Sequence, residues 1–224
     1  MSLLCTRQPD VGWLQEVGAR MRTLWPVKLI GTPLGMAGFF FVYFWLLRHP
    51  LHPLVTIPFT AVDRWVAFQP GAVFLYLSLW FYVSLAPALL IDRLELVSYG
   101  LAAAALSGIG FVVFLFWPTT VSWPVAEWPQ SSAFAFLKSV DASGNACPSM
   151  HVAFAVFTAV WFARLLRQMG AGRLVRVGNW LWCLGILYST VAIRQHVVLD
   201  VLAGAVLGAM VAVVPMRLLR THDS

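Results

Sequence analysis

Apolar residues run along this chain in long blocks rather than in narrow periodic stripes. A membrane-crossing helix needs about 20 mostly apolar residues. Six blocks reach that length, roughly Leu29–Leu47, Gly71–Ile91, Leu96–Trp117, Ser149–Leu166, Val177–Ile193 and Val197–Leu219. Before the first block the pattern changes. Val11, Leu14, Val17, Met21 and Leu24 recur every three or four positions among charges, with Trp13 and Trp25 near the ends. That period predicts an interfacial amphipathic helix within residues 1–28. The early charges Arg7, Asp10 and Glu16 exclude a secretory signal there. The predicted fold class is all-α: an integral membrane bundle of six transmembrane helices over residues 29–220, preceded by that N-terminal helix.

The segments between blocks differ in kind. His49–Pro70 is proline-rich and too broken to span, so it is expected to be interfacial or re-entrant, with Asp63 and Arg64 as headgroup contacts or solvated loop charges. Pro118–Pro148, with Trp123 and Trp128, is expected along the bilayer surface, because Trp favours the headgroup level. Gly31/Gly35 and Gly204/Gly208 have small-xxx-small spacing and are read as close helix packing rather than a dimer face.

Composition sharpens the class. The chain of 224 residues is 60% hydrophobic and 11% charged, with mean hydropathy +0.80. A soluble domain averages about 45–50% apolar and about 25% charged. A disordered chain, a soluble nucleic-acid binder and a disulfide-stapled secreted module are therefore excluded. Cys5, Cys147 and Cys183 sit in three separate contexts and make no disulfide framework. The net charge of +6 is unevenly placed: of the 15 basic residues only Arg48, Arg64, Lys138 and Arg194 fall on one side. The positive-inside rule then makes both termini cytoplasmic. Loops 48–70, 118–148 and 194–196 face a periplasm, the exterior or a lumen.

Ionisable groups near spans are costly and need a partner or a task. Two clusters stand on the outward side. Cys147-Pro148-Ser149-Met150-His151 opens the fourth span. Its helix N-terminus offers free N–H groups to an anion, with the Ser149 hydroxyl and a titratable His151 in the same turn. Upstream, Ser143-Gly144-Asn145 supplies an N–H-rich approach. In the second cluster, His196 and Asp200 are four apart and share a helix face. A carboxylate beside an imidazole fixes its tautomer and sharpens the other nitrogen as nucleophile or base. Arg194 can hold a phosphate oxygen. Each cluster alone is equally read as a proline-started helix or a structural His–Asp pair. The short connection 168–176 makes spans four and five antiparallel neighbours, so both clusters converge on one membrane face.

These residues resemble the type 2 phosphatidic acid phosphatase superfamily, a six-helix membrane fold. Its motifs read here Pro148-Ser149-Met150-His151 and Ser189…His196-Val197-Val198-Leu199-Asp200. Met150 stands where the common members have Gly, and Ser189-Thr190 where they have Ser-Arg. The family's Lys-x6-Arg-Pro string before span four is absent, with Trp123 near the Arg position. Arg194-Gln195-His196 is closer to the inositol phosphorylceramide and sphingomyelin synthase branch.

The resemblance implies catalysis by His196, His151 and Asp200, with phosphate held by Arg194, Ser149 and Ser189, and neither metal nor cofactor. It implies a lipid phosphate substrate within the bilayer, hydrolysed through a phosphohistidine, or transferred to a lipid or polyol hydroxyl. A six-span transporter with a His196–Asp200 proton relay, a non-catalytic scaffold, and a metallohydrolase using His151, His196 and Asp200 are the competing readings. A homo-oligomer is possible; a nucleic-acid partner is not expected. Cys147 is read as a packing residue rather than a nucleophile.

Overall fold

A computed structural model describes residues 12–123 and 144–222, with side chains in the last helix described as far as Val214. The amphipathic stretch and the first apolar block separate at Leu24. There the backbone turns left-handed, φ 55°, between α1 (Trp13–Arg22) and α2 (Trp25–Arg48), whose first turn carries Pro26. In α1, Trp13 and Val17 pack against the main core and Arg20 is buried.

After α2 the chain makes a short strand β1 (Val55–Thr56) and a one-turn helix α3 (Ala61–Trp65). The expected interfacial loop is thus ordered by two devices. Strand β1 pairs in parallel with β2 (Thr119–Thr120), and Thr60 and Asp63 cap α3 reciprocally. A 3-10 turn at Pro70–Ala72 leads into α4 (Val73–Leu77) and α5 (Leu79–Leu89). The second apolar block is therefore broken at Ser78, whose hydroxyl donates to the Leu75 carbonyl and accepts from the Trp182 indole N–H. Helix α6 (Arg93–Phe116) starts at Asp92, whose side chain accepts from the Glu95 N–H. Three further helices follow: α7 (Met150–Gln168), α8 (Arg173–Ala192) and α9 (Val198–His222).

Helix α7 is the axis of the fold. Ala153, Ala155, Phe157, Trp161 and Leu165 are buried on several sides of it, as a helix surrounded by others requires. It packs on α9, α8 and α5. The α7–α9 crossing is very close. A Cβ on Gly204 would lie 2.3 Å from the Ser149 carbonyl, and one on Gly208 2.2 Å from the Ala153 carbonyl. Small residues let the backbones touch, which is the packing the spacing predicted. Gly31 and Gly35 in α2 correct the same expectation, because nothing lies within 4 Å of a Cβ built on either.

Four helical segments are long and apolar enough to cross a membrane: Trp25–Arg48, Pro70–Leu89, Arg93–Phe116 and Met150–Gln168. The fifth and sixth blocks also form helices, α8 and α9. The described apolar stretch of α9, Val198–Val214, is shorter than a span. Helix α8 carries Arg173 and Arg176 in its first turn and Asn179 buried within it.

Candidate active site

The start of α7, the end of α8 and the start of α9 meet at one end of the bundle. The Ser149 N–H donates to the Asp200 carbonyl at 3.1 Å, which splices the two sequence clusters together. Helix α8 closes with the Arg194 N–H on the Val191 carbonyl and the Gln195 N–H on the Thr190 carbonyl. This pair of bonds is a Schellman closure, and its left-handed position is usually glycine. Here Arg194 occupies it, at φ 65°. A side chain there costs about 1–2 kcal/mol. Such strain persists where the surroundings hold the residue. Two contacts do so: the Arg194 guanidinium stacks 3.8 Å above the Trp123 ring and donates to the Asp63 carbonyl at 3.2 Å. Partial burial lowers the guanidinium pKa and Asp63 partly offsets this. Arginine starts so high that it stays charged.

His196 follows two residues later. Its Nδ1 is 2.6 Å from Asp200 Oδ2, and Asp200 is fully buried. The other carboxylate oxygen accepts the Val197 N–H at 2.7 Å. Asp200 therefore has both oxygens committed, one to the imidazole and one to the helix start. A carboxylate accepts only, so the shared proton sits on Nδ1, and the tautomer this selects has its lone pair on Nε2.

His151 sits in the first turn of α7. Its Nε2 is 3.0 Å from the Tyr76 carbonyl, and its ring stacks on Tyr76 with centroids 3.8 Å apart and planes 9° apart. A carbonyl only accepts, so Nε2 carries the proton of this bond and Nδ1 has no protein partner among the described residues. Met150, in the family's glycine position, points its sulfur at Gly110 of α6, where a Cβ would be 2.3 Å away. The bulk of Met150 is thus accommodated by a missing side chain across the helix pair.

His151, Arg194, Gln195 and His196 border one cavity of about 1080 Å³. From there it extends between α2, α5 and α6 as far as Lys28, past Gly31, Gly35 and Phe111. Its mouth is shaped by the 144–147 segment. There the Cys147 N–H donates to the Thr119 hydroxyl at 2.7 Å and the Asn145 amide donates to the Tyr43 carbonyl. Cys147 neighbours the site with its thiol pushed up to about 11, first by burial and then by the Asp200 charge.

The remaining expected residues are elsewhere. Ser149 is fully buried, and its hydroxyl accepts the Val152 N–H as the N-cap of α7. Ser189 is fully buried, and its hydroxyl donates to the Ile186 carbonyl at 2.6 Å. Neither borders the cavity. Asp63 corrects the reading of its loop: it is a fully buried carboxylate rather than a headgroup contact or solvated charge. The spacing Thr60-x-x-Asp63 was a capping-box signal that would have found it. Of the outward loop, Lys138 and Ser143 lie outside the described residues.

An apolar helical bundle with a buried His–Asp pair, a second His and a strained Arg around one cavity has the parts for chemistry on an anionic ester. The sequence model of the PAP2 superfamily matches residues 94–223, more than half of the chain, and the protein belongs to that superfamily. The matched region contains both sequence clusters. No curated protein and no solved structure matches the chain. Members of the superfamily are phosphatases or phosphotransferases, which supports an enzyme acting on phosphate esters. Together with the four apolar helices, the family supports a membrane protein.

Proposed function

We propose that the protein is a lipid phosphate phosphatase working through a phosphohistidine. The observation that carries this reading is the His196–Asp200 pair at 2.6 Å, fixed on a cavity wall that His151 and Arg194 share. His196 Nε2 attacks phosphorus, forming a P–N bond as the P–O bond to the lipid breaks. Asp200 holds Nδ1–H and balances the positive charge that grows on the ring. His151, with its Nε2–H kept on the Tyr76 carbonyl, acts in this step as the imidazolium and gives the leaving oxygen its second proton, the one on Nδ1. It takes that proton back from water, whose oxygen displaces His196 and releases phosphate. Arg194 draws charge from the equatorial oxygens.

A lipid substrate is supported by the cavity. From the site it continues alongside α2 between Tyr43 and Lys28, about 22 Å at the rise of an α-helix. Its wall there is mainly apolar or glycine, which suits a hydrocarbon chain and not a second polar group. Helices α8 and α9 complete six spans in this reading, α1 lies at the interface, and both termini are cytoplasmic. The site then opens at the outer or lumenal face. Transfer to a hydroxyl acceptor is the second reading, favoured by the string Arg194-Gln195-His196.

The test is a panel of labelled lipid phosphates with the protein in detergent and EDTA, wild type beside His196→Ala. Free phosphate from wild type alone, with an acid-labile phosphoprotein, supports the phosphatase. A new labelled lipid supports the transferase. Loss of wild-type turnover in EDTA would overturn the His196 mechanism in favour of a metal. Activity in His196→Ala would sink it outright.

A further inference from the structure

The segment that carries His196 is held at both ends by one residue from outside the family match. Asp63 lies in α3, ahead of residues 94–223. Its main-chain carbonyl accepts from the Arg194 guanidinium at 3.2 Å. Its Oδ1 accepts the Val198 N–H at 2.8 Å. Its Oδ2 accepts the Thr60 N–H at 2.6 Å and the Thr60 hydroxyl at 2.7 Å. The side chain has no exposed surface.

These bonds divide the first turn of α9 between two acids. The N–H groups at a helix start have no partner within the helix. Asp200 takes that of Val197 and Asp63 takes that of Val198. A carboxylate also suits the positive end of the helix dipole. Asp200 can align the His196 ring only if the turn beneath both is fixed, and the bond to Val198 fixes it to α3. Thr60 in turn locks the Asp63 carboxyl, so the anchor has little freedom of its own.

We propose that Asp63 is a positioning residue for His196: its carboxylate sets where α9 begins, and so where Nε2 meets the phosphorus. This rests on the reading of His196 as nucleophile. Asp63 touches no substrate and acts through the backbone of Val198. A displacement of about 1 Å at a reacting atom costs about 10²-fold in rate.

The experiment uses the full chain in detergent, labelled with 15N-histidine, with His196→Ala to assign the His196 ring signals. Asp63→Ala removes the carboxylate but keeps the carbonyl that receives Arg194. Asp63→Asn keeps one oxygen for Val198. On dioctanoylglycerol phosphate, Asp63→Ala is expected to lose about 10²-fold in kcat with KM within threefold, and Asp63→Asn to recover at least tenfold of that loss. The His196 nitrogens in Asp63→Ala should move from a single Nδ1–H tautomer toward an average of two. A merely structural cap would lower the folded fraction while leaving KM, kcat per folded molecule and the ring signals unchanged, and that result overturns the proposal. If Asp63→Ala does not fold, Thr60→Val loosens the same carboxylate and carries the same comparison at a severalfold loss. If wild type hydrolyses none of the lipid, the phosphatase reading fails by itself. The ring signals of Asp63→Ala against wild type still decide whether Asp63 positions His196.

Discussion

Two acid–base pairs sit at opposite ends of α7. Near its start, His196 meets Asp200 at 2.6 Å; 13 residues beyond His151, Arg164 meets Glu95 of α6 at 2.7 Å. At 1.5 Å per residue those levels are about 20 Å apart. The basic partners are similarly shielded, His196 at 12% exposure and Arg164 at 15%, while Asp200 is fully buried and Glu95 is 16% exposed. By distance alone they are hard to tell apart. What differs is what remains after pairing. Arg164 stacks its charge 5.7 Å from the Trp161 ring and borders no part of the large cavity, and neither does Glu95. The pair ties α6 to α7 and stops there. His196 has a second nitrogen, on a cavity wall, with Arg194 and His151 beside it. An ion pair marks a site when it leaves a reactive atom facing space that a substrate can enter.

The largest effect should come from removing each pair in turn. His196→Ala is expected to lower turnover of a lipid phosphate by about 10⁴-fold or more. Glu95→Gln should leave kcat within threefold and lower stability by about 1–2 kcal/mol, read from thermal unfolding in detergent. Equal losses of activity from both would erase the contrast.

Helix packing gives the next test. Gly208→Val places side chain against the Ala153 backbone and should cost about 3 kcal/mol. Gly35→Ala meets nothing and should be neutral or slightly stabilising, since Ala exceeds Gly in helices by about 1 kcal/mol. Unfolding midpoints of the two variants decide it.

Arg194→Gly separates strain from function at one residue. It relieves the left-handed backbone while removing the guanidinium from Trp123 and Asp63. Stability should stay within about 1 kcal/mol, the two changes offsetting. The kcat/KM should fall about tenfold to a hundredfold, measured on the same substrate. The smallest effect concerns Cys147. Its thiol is pushed up to about 11 by burial, so it is protonated at neutral pH. In a Cys5→Ser, Cys183→Ser background, maleimide labelling should be slow at pH 7.5 and quicken with rising pH toward 11. Fast labelling at pH 7 would mean an activated thiol and a site chemistry different from the histidine one.

The legible part of the site was the part encoded locally. His196 and Asp200 are four residues apart on one helix, so spacing predicted their contact. Pro148-Ser149 announced a helix start, and Ser149 is that cap. Gly204 and Gly208 announced a close crossing. What spacing did not reveal was which hydroxyls reach the cavity. Ser149 and Ser189 turn theirs to nearby backbone, because a buried hydroxyl takes the closest partner. Arg194 in a glycine position had no local signal, because its strain is sustained by Trp123 and Asp63 from distant segments.

The helical class, the apolar blocks and the His–Asp pair were readable from the residue order, since all three rest on residues within a few turns of each other. That Asp63, 135 residues from Val198, bonds the start of α9 came only with the folded chain. So did the room that Gly110 makes for Met150, and the open space that Gly31 and Gly35 border in place of a helix. Those outcomes depend on which surfaces meet across the bundle. Close packing selects one such arrangement from many that the local pattern permits equally.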